Sequence, residues 1–405
     1  MELRKKCEFK VEYKQLAVFS YLILLFWALI NIALVPEFKT IIKLQNIIAL
    51  PTLCLGILFI IDAFNNCGKI FFRGQVLFIT GIVLASLILS MLGSYAQLVV
   101  TVRVYAVLGI LLFYLRYKGS INQQKEKSIA ELFYCFMLFV IMINIILYWG
   151  WDFDYNFYFP GLMDKNYTGV LVFLFLILSI KLKHLSGIFI SIVYMVFMTD
   201  SRSFYGMLAI FFFIKIFRNT FVNIIGALNL KKAIIHFVVL FLGIIVLSMF
   251  WISYVSINPL ASYKEGLNDG SNKMRFVANV YALDRIRDNP QFIYKGLGDH
   301  IKEGLGIDSE NYSQHTKVMG VRLVQPHNCF INMMLKIGVV QAVVYFLLLA
   351  YILDKMKSYN NIEFYFPYII NACFMHSLLD GPFLVIWTFI LMISQERNNG
   401  VRMQL

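Results

Sequence analysis

Residues 129–149 read IAELFYCFMLFVIMINIILYW, with a single acid, Glu131, and no base. A helix rises about 1.5 Å per residue, so about 20 apolar residues are needed to cross a hydrocarbon core about 30 Å thick. This stretch has that length, and it lacks the strict polar/apolar alternation of a membrane β-strand. Working outward, similar runs recur at 16–35, 41–61, 76–92, 97–115, 166–180, 185–199, 203–217, 233–254, 327–352, 363–377 and 382–395. They predict an all-α polytopic membrane protein of about 12 transmembrane helices. Three of the runs (166–180, 185–199, 203–217) are short, and a count of ten remains open.

The composition agrees. Of the 405 residues 60% are hydrophobic and 15% charged, against about 25% charged in an ordinary soluble domain, and the mean hydropathy is +0.72. Secreted, cytosolic and disordered chains are excluded. The net charge of +13 is explained by topology and not by nucleic acid. With a cytoplasmic N-terminus, the inner segments hold 21 Lys and Arg, while the short outer ones hold Lys39, Lys43, Lys165 and Arg202. Basic residues favour the cytoplasmic side, so both termini are expected inside. The basic head Met1–Lys14 and the absence of a small-x-small site in 31–40 predict an uncleaved signal anchor. The six cysteines are scattered, and 257–326 contains none. Neither a disulfide framework nor a protein-held metal is expected.

The polar segments on the outer side carry the information. The chain divides into a bundle over 1–256, an exported loop over 257–326 and closing helices over 327–405. The loop is far longer than a connector needs to be. Within it a helix is predicted from Lys273 to Asn289, stopped by Pro290, with Phe276, Val280, Leu283 and Ile286 as its apolar face. Gly296-Leu297-Gly298 then predicts a tight turn, and 307–325 a mobile lobe. In 150–165 the aromatics suit the interfacial belt, with sugar stacking as the alternative, and the segment ends in Asp164-Lys165-Asn166 at a span mouth.

Arg103, Arg202, Arg275, Arg322 and His327 all fall in the outer half. Each has an ordinary explanation, such as snorkelling or, for Arg103, pairing with Asp380 or a backbone carbonyl. Together they are several guanidinium groups on one side without matching acids, an arrangement that suits a phosphate-bearing anion. A polyprenyl diphosphate carrying a glycan fits this position, with His327 able to take a proton from an acceptor hydroxyl.

Three features occur in order: the hinge Ser201-Arg202-Ser203; Arg275 on a helix that ends Asp288-Asn289-Pro290 before Gly296-x-Gly298; and Pro326-His327-Asn328 followed by Gly338. With a weaker echo in His376, Ser377 and Asp380, they resemble the bacterial O-antigen polymerase (Wzy-type) / O-antigen ligase family over about 164–340. The resemblance implies a GT-C-type glycosyltransferase in the bacterial inner membrane, with its active site facing the periplasm and its large periplasmic loop between helices 9 and 10. It implies undecaprenyl-diphosphate-linked oligosaccharide as donor and acceptor, a possible chain-length regulator as partner, and no cofactor, metal or nucleic acid. It assigns Arg202 and Arg275 to the pyrophosphate and makes His327 the base or the group that orients the acceptor. Asp164 and Asn166 match the family's acidic-x-Asn motif. Arg103, Arg322, Asn328 and Asp380 complete the expected substrate-binding set. Lys336 stands where relatives often have an acid and is expected to face the headgroup or the phosphate. Within the family, polymerase is favoured over ligase. A lipid-linked oligosaccharide flippase remains the alternative, although no internal repeat supports it.

Overall fold

The computed structural model describes residues 18–32, 81, 83–118, 123–148, 164–199, 201–227, 270–307, 317–318, 321–356 and 361–393. The expected spans 41–61 and 233–254, the N-terminal head, the aromatics of 150–163 and most of 307–320 lie outside them.

The described residues are helical apart from two strands of two residues each. In chain order they are α1 (Val18–Ile32), α2 (83–91), α3 (Tyr95–Lys118), α4 (Gln123–Tyr148), α5 (Lys165–Leu182), α6 (Leu185–Phe197), α7 (Arg202–Ile216) and α8 (Arg218–Ala227). After the gap come α9 (Gly270–Asp288), a 3-10 turn (Pro290–Ile293), α10 (Ile301–Gly304), β1 (Lys317–Val318) and β2 (Val321–Arg322). The chain then continues as α11 (Cys329–Ile337), α12 (Val339–Lys355), α13 (Ile362–Ala372) and α14 (Pro382–Met392). Helices α3, α4 and α5 are each long and apolar enough to cross a membrane.

The packing is that of a helical protein whose outer surface is apolar. On α4, Phe133, Met137, Ile141 and Asn144 face inward. The opposite face shows Leu132, Phe139 (59% exposed), Ile143 and Ile146 (67%). Helix α6 repeats the pattern, with Leu185 (80%), Phe189 (68%), Ile192 and Val196 outermost. In water such rows would be a large uncovered apolar patch; against lipid they are the natural surface. Helix α5 is the centre. Every residue from Tyr167 to Ser179 is buried, and α4, α6, α7 and α14 all pack on it. The polar Asn144 inside the bundle accepts a bond from the Tyr194 hydroxyl (2.8 Å).

Two sequence expectations are corrected here. The run 327–352 is two helices broken at Gly338, whose φ of 89° and ψ of 154° are open essentially to glycine alone. The N-terminus of α11 meets the segment before α14, and its C-terminus meets the start of α3, because Gln97 Nε2 donates to the Ile337 carbonyl (2.9 Å). Helix α11 therefore lies across one end of the bundle, and α12 continues from the break to pack on α3 and α11. Helix α9 is also rotated relative to its expected face. It buries Val277, Ala278 and Ala282, while Leu283 is exposed, because the small alanines allow closer approach to α11, on which α9 packs.

Breaking a helix orphans its last carbonyls, and here the lobe that follows α9 satisfies them. Leu297 N–H donates to the Leu335 carbonyl (2.7 Å) and Gly298 N–H to that of Lys336 (2.9 Å). The Gly-x-Gly pair thus docks backbone on backbone: a Cβ on Gly296 would sit 2.2 Å from the Lys336 carbonyl oxygen. The amides of Gln97 and Gln341 converge on the Tyr294 carbonyl (2.9 Å each). Ala282, Phe292, Ile301, Leu305, Ile331 and Leu335 form a small apolar core between lobe and α11.

Candidate functional site

Several helices start at the end of the bundle crossed by α11, and polar side chains cap three of them. Asp164 caps α5 by accepting from Asn166 N–H (2.6 Å) and Tyr167 N–H (3.4 Å). Ser201 caps α7, accepting from Phe204 N–H (3.4 Å). Asn328 caps α11, accepting from Phe330 (3.0 Å) and Ile331 (3.2 Å), and its Nδ2 donates to the Cys373 carbonyl (3.3 Å). Each cap removes orphan N–H groups from the first turn. Asn328, expected to bind substrate, is occupied at both ends of its amide and positions α11. Asp164 likewise shapes the mouth through its cap.

Cross-links draw these starts together. The Ser203 hydroxyl donates to Asn166 Oδ1 (3.5 Å). His376 N–H, in the segment before α14, donates to the Tyr167 hydroxyl oxygen (3.2 Å), and Asn332 Nδ2 donates to the His376 carbonyl (2.8 Å). The rings of His327 and His376 meet edge to face at 5.3 Å. Arg275 on α9 and Asp164 both lie close enough to act electrostatically on His327. The Arg275, Asp164, Asn166 and His327 of the sequence reading are therefore gathered, with Arg202 one residue from Ser203 as the first residue of α7.

His327 is held in a defined state. Its Nδ1 lies 2.7 Å from the Gln325 carbonyl. A carbonyl can only accept, so Nδ1 carries the proton and Nε2 keeps its lone pair. That lone pair is the group a general base needs.

Other expected residues stand elsewhere. Arg103 makes a two-bond pair with Asp299 of the lobe (2.8 and 3.1 Å), a partner the sequence reading did not name. Asp380, expected to bind substrate, is 8% exposed and pairs with Lys336. This also corrects the expectation that Lys336 faces headgroup or phosphate. Beside that pair, the Tyr345 hydroxyl donates to the Leu379 carbonyl. Arg322 lies on β2, which packs against α9. Among the described residues no cluster of three or more His, Cys, Asp or Glu could hold a metal.

Tyr167 and Lys302 were not anticipated. Tyr167 directly follows Asn166, and its hydroxyl was hidden in a run read as plain span. Lys302, on α10 of the lobe, acts electrostatically on His376, and no local pattern announces that. Compared with protein-family models, characterised proteins and solved structures, the chain finds no match.

Proposed function

We propose that this chain is a metal-independent glycosyltransferase of the inner membrane, polymerising an O-antigen or related surface polysaccharide. It moves the growing glycan from undecaprenyl diphosphate onto a lipid-linked repeat unit at the periplasmic face. The full span number of about twelve and the GT-C architecture belong to this reading. Its main support is the gathering of Arg275 and a base-competent His327 at a mouth formed by the starts of α5, α7 and α11. Helix N-termini carry partial positive charge and favour anions. Guanidinium groups there neutralise a departing diphosphate, the electrostatic work a metal does elsewhere.

In the reaction the bond from the sugar C1 to the diphosphate oxygen breaks, and its electron pair leaves on that oxygen. The acceptor hydroxyl oxygen bonds to C1, and its proton passes to His327 Nε2. Arg275 and Arg202 hold the diphosphate.

The glycan profile of a strain lacking the gene tests the reading. Lipid A-core carrying one repeat unit, with no ladder, is the expected result. Uncapped core with long polymer held on the carrier makes the enzyme a ligase. An unchanged profile overturns both.

A further inference from the structure

His376 is fixed by its own backbone, with its N–H bonded to Tyr167 and its carbonyl to Asn332. Its ring stands edge-on to both Tyr167 (5.3 Å, 77°) and His327 (5.3 Å, 80°). Nδ1 is buried and has no hydrogen-bond partner. Among the described residues none bonds Nε2, which is not fully buried. Arg275 and Lys302 act on this ring electrostatically, as does Lys336, whose charge Asp380 offsets, so the balance of charge around it is cationic.

A neutral imidazole carries one proton, and its location is set by what each nitrogen meets. At His327 a carbonyl holds it on Nδ1. At His376 no acceptor holds it on Nδ1, so the ring keeps imidazole's ordinary preference for the Nε2–H form. The Nε2 atoms of the two neighbouring rings are thus opposite in kind: His327 presents an acceptor and His376 a donor. A donor among cations recognises an anionic oxygen.

We propose that His376 is a ligand-binding residue of this site, its Nε2–H bonding an oxygen of a polyprenyl diphosphate while His327 Nε2 faces the acceptor hydroxyl. This rests on the transferase reading above. His376 keeps its proton throughout; the proton released from the acceptor goes to His327.

The test is titration of farnesyl diphosphate into the detergent-solubilised full-length protein, with farnesol as control. His376→Phe keeps the ring contacts and removes both nitrogens. His376→Gln restores an N–H near the Nε2 position, and His376→Asn places its amide near Nδ1. A hydrogen bond to a charged group predicts about a tenfold or greater loss of diphosphate affinity in His376→Phe. His376→Gln should recover most of it, His376→Asn should not, and farnesol binding should stay constant. Wild-type affinity in His376→Phe, beside a weakened Arg275→Ala, overturns this inference alone. Recovery by Asn equal to that by Gln overturns it as well, even if the Phe variant is unstable. Failure of the wild type to bind, or no effect of Arg275→Ala, overturns the inference together with the transferase reading.

Discussion

The two ends of the helical bundle treat charge in opposite ways. At the end away from the site, cations meet helix C-termini. Lys181 reaches from the last turn of α5 to the carbonyls of Ile390 (2.8 Å) and Ile393 (3.2 Å) at the close of α14. Lys215 and Lys355 lie in the last turns of α7 and α12. These lysines complement the helix dipole and follow the cytoplasmic bias of basic residues, so stability and topology explain them. At the site end, Lys165 and Arg202 are the first residues of α5 and α7, where the dipole is already positive, and Arg275 stands beside them. Helix electrostatics disfavours cations there. On the function proposed above, the difference separates cations that serve the fold from cations that serve a bound anion.

The comparison can be broken in graded ways. The largest effect is expected from Asp380→Ala, which leaves the buried Lys336 ammonium without its partner. Loss of one member of such a pair costs about 3–5 kcal/mol, read as a fall in the thermal midpoint of the solubilised protein. Replacing both residues (Lys336→Met with Asp380→Leu) should restore most of it. Next, Gly338→Ala forces a non-glycine residue into φ 89°. It should cost about 1–3 kcal/mol and disturb both lobe docking and transfer. At the opposite end, Lys181→Met leaves two buried carbonyls without their donor. It should cost about 1–3 kcal/mol and leave transfer by the folded protein intact. The smallest stability change is expected from Lys165→Ala, which removes an adverse charge from a helix start. The midpoint should hold or rise by less than about 1 kcal/mol equivalent, while glycan transfer falls. If Lys165→Ala destabilises as much as Lys181→Met does, the contrast between the two ends is lost.

The sequence showed the helices best where one element buries itself. Helices α5, α6 and α7 lie within a residue or two of the runs 166–180, 185–199 and 203–217. It was least informative where distant segments meet. The break at Gly338 sits inside an apolar run, and its freed carbonyls are satisfied by Leu297, Gly298 and Gln97, contacts that hydropathy does not encode. Of the residues named from the sequence, Arg275 and His327 lie close enough to interact. The site was not legible as to which polar groups are structural. Asn328 and Asp164 turned out to be caps, and Arg103 and Asp380 took partners in Asp299 and Lys336, all decided by the folded arrangement of the lobe and α11.

The most direct measurement is glycan transfer by the purified full-length protein in liposomes, supplied with undecaprenyl-diphosphate-linked repeat units and a chelator. Elongation by the wild type is predicted, with loss in Arg275→Ala and His327→Ala and retention in Lys181→Met. Elongation at wild-type rate in both Arg275→Ala and His327→Ala would contradict the account.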